Sequence, residues 1–126
     1  MNITNKLFVY GILKRGFQLD LEKKGCKFLG EAVLPGANLY HLGSGVGMKV
    51  ADDGGAYGEV FEIPPNLWPW LDSIEGHPHN YRRVIVEPIL CNLGEGGMNV
   101  KTWAYEFPHH TGPIIKSGKY EYTENY

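Results

Sequence analysis

The sequence predicts an α+β domain in which a small mixed β-barrel is flanked by one or two short helices. Three observations favour this class. Aromatic residues form 13% of the chain, 17 glycines and eight prolines imply many turns, and only one segment has a clear helical periodicity. The 126 residues suit a single domain over 1–126, with a core at about 7–107 and an irregular tail at 108–126.

The first half of the chain is predicted to form five strands, each ending at a glycine, a proline or a glycine-rich turn. The turns that separate them are expected at Gly11, at Pro35-Gly36, within Gly43–Gly47 and over Asp52–Gly55. The predicted strands are Leu7–Tyr10, Lys27–Leu34, Asn38–Leu42, Gly47–Ala51 and Ala56–Ile63.

The best helix candidate is Leu67–Glu75. Its apolar residues recur at i, i+3, i+4 and i+7, and Pro69 lies in the first turn, where a missing N–H is tolerated. A weaker helical pattern covers Phe17–Lys24, and Gly25 would end it. The four apolar positions of the better candidate are Leu67, Trp70, Leu71 and Ile74.

Two further strands are predicted after this helix. Tyr81–Leu90 and Asn99–Phe107 carry the β-branched and aromatic residues that strands favour, and Gly94–Gly97 would join them as a hairpin turn. The tail that follows is polar and rich in tyrosine, which predicts irregular structure.

Composition argues against several classes of function. The formal charge is −2, from 12 basic and 14 acidic residues, and the basic residues are too scattered for a nucleic-acid interface. The chain has no apolar stretch of ~18 residues and no export-signal pattern, so neither a membrane span nor secretion is expected. Cys26 and Cys91 lack paired spacing, which favours free thiols in a cytoplasmic protein.

Metal and nucleotide sites are not expected. His77 and His79 flank a proline, His109 and His110 are adjacent, and neither pair has the spacing of zinc ligands. No helix follows the glycine-rich segment Gly43–Gly47, so it lacks the platform of a dinucleotide site. The sequence therefore predicts neither a metal nor a cofactor.

The end of the first strand is a candidate anion-binding site. A strand that stops at Gly11 and turns sharply can direct successive backbone N–H groups into one concavity, and such a concavity binds a carboxylate or a phosphate. A plain strand-to-loop turn is the alternative interpretation of Tyr10–Leu13.

Glu75 is a candidate proton-transfer residue. It ends the predicted helix just before Gly76, where the negative end of the helix macrodipole disfavours the ionised carboxylate. Near a pocket this would raise its pKa towards the range useful for acid–base catalysis. An exposed surface glutamate is the alternative.

Tyr81 and Arg83 share one face of the strand that opens after the helix, and Arg82 points the other way. One of these arginines could pair with a buried carboxylate or with the carboxylate of a substrate. Ordinary surface charge is the alternative.

Four motifs in one order resemble the gamma-glutamylcyclotransferase-like family, and most of all its small members of the gamma-glutamylamine cyclotransferase type. The motifs are LFVYGILKRG, AYGEVFEI, LDSIEGHPHNYRRVIVEP and TWAYEF, and they extend from about Leu7 to Phe107. The resemblance implies a compact mixed β-barrel with flanking helices and a cavity at one end. It implies that Glu75 is the catalytic acid/base. The substrate-binding residues that it implies are Tyr10, Gly11, Ile12, Leu13, Tyr81, Arg83 and Tyr105.

The reaction implied by the resemblance releases 5-oxoproline and a free amine from a γ-glutamyl amine or γ-glutamyl amino acid. The substrate's own α-amino group closes a five-membered ring, so the protein need supply no covalent nucleophile, metal or cofactor. Ile12 departs from the family pattern, which has serine or threonine there, and this would alter substrate preference or lower activity. The loops Gly43–Gly47 and Gly76–Asn80 are expected to form the pocket walls.

Two other functions remain open from the sequence. A non-catalytic binding module for γ-glutamyl or other small carboxylate ligands is favoured by Ile12 and disfavoured by Glu75, since a carboxylate repels an anionic ligand. A structural domain would use exposed aromatic residues as an interface, and a core without a pocket would favour it. Those aromatic residues are Trp68, Trp70, Tyr120 and Tyr122.

Overall fold

The computed structural model describes residues 4–43, 45–91 and 97–121, in which one mixed sheet curls into a half-barrel beside one short α-helix. This architecture confirms the predicted fold class. The elements are β1 (Lys6–Val9), β2 (Lys27–Leu42), β3 (Gly45–Glu62), α1 (Trp68–Glu75), β4 (Arg82–Val86), β5 (Ile89–Leu90), β6 (Met98–Asn99) and β7 (Thr102–Glu106).

The sheet has the strand order β4-β7-β1-β3-β2-β5-β6. β1 and β7 form a parallel pair, and β1 and β3 form an antiparallel pair. All other neighbouring strands of the sheet pair in an antiparallel orientation. Because both edges of β1 are paired, its position is constrained from two sides. Its register places Val9 opposite Glu59 on β3.

A short connection shows why the sheet must curl. β4 and β5 lie five places apart in the sheet, which would be about 24 Å in a flat sheet. Only residues 87 and 88 separate them, and three Cα–Cα steps from Val86 to Ile89 span at most about 11 Å. The two ends of the sheet must therefore approach each other, and this encloses the interior of the half-barrel.

The four strands predicted between Lys27 and Ile63 are in fact two long ones, β2 and β3. The turns expected at Pro35-Gly36 and over Asp52–Gly55 were wrong, because both segments lie within these strands. Pro35 on β2 lies opposite Gly55 on β3, and the next pair is Ala37 opposite Val50. Between these two pairs β2 advances by two residues and β3 by five. The turn-forming residues therefore produce a bulge, and the chain reverses only between Leu42 and Gly45.

The helix prediction was close, since α1 differs from it by one residue and follows a 3₁₀ turn at Pro65–Leu67. Gly76 ends the helix with a φ of 69°, and its N–H donates to the carbonyls of Asp72 and Ser73. This left-handed conformation is the one that glycine adopts most readily at a helix end.

The predicted helix over Phe17–Lys24 was wrong, because only Glu22–Lys24 forms a single 3₁₀ turn. The N–H groups of Leu19 and Leu21 donate to the carbonyls of Ile12 and Leu13, at 2.9 and 3.1 Å. These bonds tie the segment to the loop after β1 and leave its amides unable to form a helical ladder.

Each of the two strands predicted after the helix divides into two. Pro88 interrupts Tyr81–Leu90, since it lacks the N–H that a continuing ladder needs, and the chain passes from β4 to β5. Asn99–Phe107 divides in the same way, with β6 pairing with β5 and β7 pairing with β4. Of the predicted turn Gly94–Gly97, only Gly97 is among the described residues.

The described part of the tail lies against the central hairpin. Apart from one isolated bridge between Tyr40 and Ile114, residues 108–121 contain no strand or helix. The Ile115 N–H donates to the Leu39 carbonyl at 2.7 Å, and the Tyr57 N–H donates to the Gly118 carbonyl at 2.8 Å. Residues 113–118 thus cover β2 and β3.

The core lies on both faces of β1. Phe8 and Tyr10 pack in one buried cluster with residues from β2 and β3, whereas Leu7 and Val9 pack in a second cluster that includes Leu71 of α1. Alternate side chains of a strand point to opposite faces, so β1 links the two clusters. The chain that leaves β1 is therefore held by packing on both sides.

We predict that Gly58→Ala destabilises the protein. An added Cβ would overlap the Val9 carbonyl oxygen and lie 2.8 Å from Cζ of Phe8, so the pairing of β1 with β3 would have to shift. The expected loss in the free energy of unfolding is about 1–3 kcal/mol, measured by urea denaturation. Gly55→Ala on the same strand is the matched control, since its nearest atom would be 3.9 Å away. Equal stabilities of the two variants would contradict this packing.

Candidate active site

A cavity of about 380 Å³ opens where β1 ends. Its walls come from the chain leaving β1 (Val9–Leu13), the start of β3 (Gly45 and Val46) and the end of α1 (Ile74 and Glu75). Such a cavity disfavours the purely structural role that a solid core would have supported.

The loop Tyr10–Leu13 forms one wall of this cavity. The Gly11 carbonyl accepts a hydrogen bond from Lys14, but the N–H groups of Ile12 and Leu13 donate to no other described backbone group. Gly11 also lies against the central hairpin, because a Cβ added there would be 2.8 Å from Cγ1 of Val46. The loop thus has backbone donors available to an anionic ligand.

The far side of this loop is tied to β3. The Arg15 N–H donates to Oε1 of Glu59 at 2.9 Å, and Nε of Arg15 lies 3.7 Å from Oε2. Glu59 is the residue opposite Val9 in the β1–β3 register. The same pairing that ends β1 therefore also positions the start and the end of the loop.

Glu75 lies in the cavity wall at the last position of α1. Burial raises its pKa from the usual 4.5 to about 7, because the cavity removes water from the charged form. No described side chain donates a hydrogen bond to this carboxyl group, so nothing offsets the cost of burial. Glu75 is thus a carboxyl group that changes charge near neutral pH, and the surface-glutamate alternative is disfavoured.

The chain after α1 brings Tyr81 next to Glu75. The N–H groups of His79 and Asn80 donate to the Gly76 carbonyl, and the Tyr81 N–H donates to the Glu75 carbonyl at 3.1 Å. Of the loop Gly76–Asn80, which was expected to form a pocket wall, Asn80 lines the cavity, and Tyr81 lines it next to Asn80.

Three tyrosines line the cavity, and each hydroxyl already has an acceptor. Tyr10 donates to the Tyr105 carbonyl at 2.6 Å, Tyr81 to the Val46 carbonyl at 2.8 Å, and Tyr105 to Oδ1 of Asp72 at 2.7 Å. Burial is the main cause that raises all three pKa values, with that of Tyr81 reaching about 12. They stay protonated at neutral pH and act as structural donors.

Arg83 lies behind the cavity wall and is not among the lining residues. Its Nη2 is 3.2 Å from Oδ2 of Asp72, and its Nε is 3.1 Å from Oδ1 without the alignment of a hydrogen bond. The guanidinium also lies over the rings of Trp68 and Trp103, 5.0 and 4.8 Å from their centroids. Its place in the structure is therefore to hold the carboxylate that accepts the hydroxyl of Tyr105.

The neighbouring arginine is also paired. Nη2 of Arg82 lies 3.0 Å from Oε1 of Glu106, whose other oxygen accepts the Val50 N–H at 2.9 Å. Both arginines thus contact carboxylates of the protein, one of the outcomes considered from the sequence.

The sequence analysis missed several residues of the site. Asp72 was within the LDSIE motif and lies one turn before Glu75, which could have identified it. Leu42 and Phe107 carry no local signal, because only the long-range pairing of β2 with β3 and the position after β7 bring them to the cavity. Val46 lies within the loop Gly43–Gly47, which was expected to form a pocket wall.

The described residues contain no group of three histidine, cysteine or acidic side chains arranged to hold a metal ion. Nδ1 of His77 accepts the Arg83 N–H at 3.1 Å, and Nε2 of His109 is 2.7 Å from the His79 carbonyl oxygen. Across the described ranges, no helix is long and apolar enough to cross a membrane.

Comparison with known proteins identifies the family. The family model described as "Gamma-glutamyl cyclotransferase, AIG2-like" matches residues 7–122. The chain belongs to this family. The match contains the loop after β1, Glu75 and Tyr105, so the family's sequence pattern covers the whole cavity.

Individual proteins are similar to this chain in sequence or fold. A protein of Methanocaldococcus jannaschii named "Putative gamma-glutamylcyclotransferase" is 30% identical over 119 residues, covering 91% of this chain and 94% of that protein. A crystal structure from Pyrococcus horikoshii has a TM-score of 0.70 at 29% identity, covering 92% of this chain and 89% of the other. The mouse AIG2-like protein shares the fold, with a TM-score of 0.64 at 20% identity and coverage of 99% and 100%.

We predict that Glu75 makes the native protein lose stability as pH rises. Below pH 4.5 its carboxyl group is neutral in both the folded and the unfolded chain. Between pH 4.5 and about 7 only the unfolded chain ionises it, which favours unfolding by up to about 3 kcal/mol above pH 7. Glu75→Gln removes this penalty, so its stability relative to the native protein should increase from pH 4 to pH 8.

Denaturant titrations at several pH values measure this difference. Glu87→Gln is the control, because Glu87 is exposed to solvent. A stability difference for Glu75→Gln that stays constant with pH would contradict the burial of this carboxyl group.

Proposed function

We propose that this protein is a cyclotransferase that converts γ-glutamyl amines or γ-glutamyl amino acids into 5-oxoproline and the free amine. The observation that carries the proposal is the position of Glu75, a carboxyl group with a pKa of about 7, in the same cavity as the backbone donors of Tyr10–Leu13. Membership of the family supports this class of reaction.

The reaction joins two parts of one substrate molecule. The α-amino nitrogen attacks the γ-carbonyl carbon, the bond between that carbon and the amide nitrogen breaks, and the amide nitrogen leaves as an amine. No water is consumed, and one substrate gives one 5-oxoproline and one amine. Holding the substrate in a folded conformation supplies much of the rate increase, because intramolecular attack has a high effective concentration.

Glu75 carries the proton in this scheme. Its ionised carboxylate removes a proton from the α-ammonium group, which frees the nitrogen for attack, and the resulting acid gives that proton to the departing amide nitrogen. The ring nitrogen loses its second proton as the lactam forms, and this proton passes to the released amine, which leaves as an ammonium ion. A group with a pKa near the working pH serves well as both base and acid. The scheme needs no metal or cofactor, since it consists of ring closure and proton transfer.

The backbone N–H groups of the loop Tyr10–Leu13 bind the negative charge of the substrate. They suit the carboxylate of the glutamyl part and the oxyanion that develops on the γ-carbonyl, since fixed dipoles in a dry cavity stabilise such charge. Ile12 contributes its N–H but no hydroxyl. Tyr81 and Tyr105 form the wall beside Glu75, and Arg83 supports Tyr105 through Asp72.

The second candidate function is a non-catalytic binding module for small carboxylate ligands. The apolar side chain of Ile12 at the loop favours it, since a hydroxyl contact is missing. A buried glutamate counts against it, because the cost of burying a carboxyl group gives no advantage to a protein that only binds anions. We therefore propose that the protein is a cytoplasmic enzyme that acts on a small molecule, rather than a binding module.

We predict that Glu75→Gln lowers the release of 5-oxoproline by about 10²–10⁴-fold, because the amide keeps the shape of the side chain but transfers no proton. The assay follows 5-oxoproline from a panel of γ-glutamyl amines and amino acids. Glu87→Gln, at an exposed position outside the cavity, is the matched control and should retain full activity. Activity that survives Glu75→Gln would remove Glu75 from the mechanism.

We also predict that kcat/KM of the native protein rises with pH through about 7 and levels off above it. The free enzyme must hold Glu75 as a carboxylate to accept the first proton, and its pKa lies at about 7. A profile that is flat between pH 5.5 and pH 8 would show that another group accepts this proton.

A further inference from the structure

Lys14 directly follows the loop Tyr10–Leu13 and closes it. The Lys14 N–H donates to the Gly11 carbonyl at 3.0 Å, and the carbonyls of Ile12 and Leu13 accept backbone hydrogen bonds from the segment that follows. The loop is thus held through its carbonyl groups. A shift of Lys14 would therefore move the backbone N–H groups that are proposed to bind the substrate.

The side chain of Lys14 is buried without an ion pair. Only 5% of the residue is exposed, and its ammonium group forms no ion pair with any carboxylate of the described residues. Burial is the main cause that lowers its pKa. A methionine would fill a similar space without burying a charge, so packing alone does not explain a lysine at this position.

The ammonium group of Lys14 joins the loop to the tail of the chain. Its Nζ donates to the Tyr120 carbonyl at 2.8 Å, across 106 positions of sequence. The same atom lies 4.7 Å from the centroid of the Phe17 ring, and that ring is 5.9 Å from the ring of Tyr120. The loop and the tail therefore meet in one buried contact.

The tail is fixed at this point by β3. The Tyr57 N–H donates to the Gly118 carbonyl at 2.8 Å. Gly118 has a φ of 74°, and an added Cβ would overlap the carbonyl oxygen of Gly55, so both its conformation and its close approach require glycine. Gly55 belongs to the bulge between β2 and β3, which thus receives residues 118–120.

Lys14 is not part of the active-site cavity. It is not among the lining residues of that cavity, and it lines a second cavity together with Glu59 and Lys119. Any effect of its side chain on catalysis must therefore pass through the loop that precedes it.

We propose that Lys14 is a positioning residue which, with residues 118–120, holds the loop Tyr10–Leu13 in the conformation that binds the substrate's carboxylate. This inference rests on the role of the loop in the proposed function. A loop that is already ordered binds its ligand more tightly, because no binding energy is used to order it. Glu75 lies on α1, so the contact between Lys14 and the tail should leave its proton transfer unchanged.

Lys14→Met tests this proposal, because methionine keeps an apolar side chain of similar length but donates no hydrogen bond. We expect KM for the best substrate of the γ-glutamyl panel to rise by about 3- to 10-fold. Kd for 5-oxoproline, measured by calorimetry, should rise by the same factor, since this product carries the same carboxylate. The midpoint of the kcat/KM pH profile should stay at about 7.

These measurements separate positioning from a general loss of stability. A variant that is partly unfolded contains less active enzyme, which lowers the apparent kcat but leaves KM unchanged. Lys116→Met is the matched control, because it removes the same charge from an exposed position of the tail. It should leave KM, Kd and the pH profile as they are in the native protein.

A second variant tests the tail. Gly118→Ala would displace residues 118–120 from Gly55, and it should raise KM and Kd as Lys14→Met does. Both substitutions break one connection, so the double variant should bind no more weakly than the weaker single variant. Effects of the two substitutions that multiply would contradict a shared contact.

The outcomes distinguish this inference from the proposed function. An unchanged KM and Kd in Lys14→Met would overturn the inference and leave the cyclotransferase reaction in place. If the native protein releases no 5-oxoproline from any substrate, the proposed function is overturned, while Kd for 5-oxoproline still decides the inference. A native protein that does not bind 5-oxoproline would overturn the inference as well.

Discussion

The short link between β4 and β5 is the constraint on which the site depends. Two residues cannot cross a flat sheet of this width, so the sheet curls and its interior becomes a cavity at the end of β1. β1 is paired on both edges and packed on both faces, which holds the loop Tyr10–Leu13 at the cavity wall. The rigidity of the central strand is therefore what positions the backbone donors.

The energetic cost of the site is concentrated in Glu75. Neighbouring polar groups are paired with one another, as the contacts of Tyr105, Asp72 and Arg83 show, but no described side chain donates a hydrogen bond to this carboxyl group. A carboxyl group buried without a partner destabilises the fold, and such groups are concentrated at sites of proton transfer. The same desolvation that costs stability brings the pKa to the range that the reaction needs.

Local patterns in the sequence predicted the local parts of the structure. The periodicity of Leu67–Glu75 predicted α1 to within one residue, because capping and amphipathicity are encoded within the segment. Asp52–Gly55 has the composition of a turn, yet it forms a bulge, because the pairing of β2 continues on either side of it. Turn-forming residues permit a change of direction, but long-range pairing decides how large it is.

The site could be predicted only through the resemblance of the ordered motifs, since spacing alone left the loop and Glu75 as separate, ambiguous candidates. The substrate-binding role of Arg83 stays a prediction of that resemblance, and in the structure this residue lies behind the cavity wall and contacts Asp72. Phe107 could not be predicted as part of the site, since it follows β7 and reaches the cavity only through the long-range pairing of the strands.

The most direct test of the account is the fate of oxygen and nitrogen in one turnover. γ-Glutamyl-3-methylbutylamine would be incubated with the native protein in ¹⁸O-labelled water, and the products analysed by mass spectrometry. Intramolecular cyclisation predicts 5-oxoproline without ¹⁸O, together with an equal amount of the free amine. Glutamate carrying ¹⁸O would show that the cavity hydrolyses the amide, and would contradict the mechanism built on Glu75 and the loop after β1.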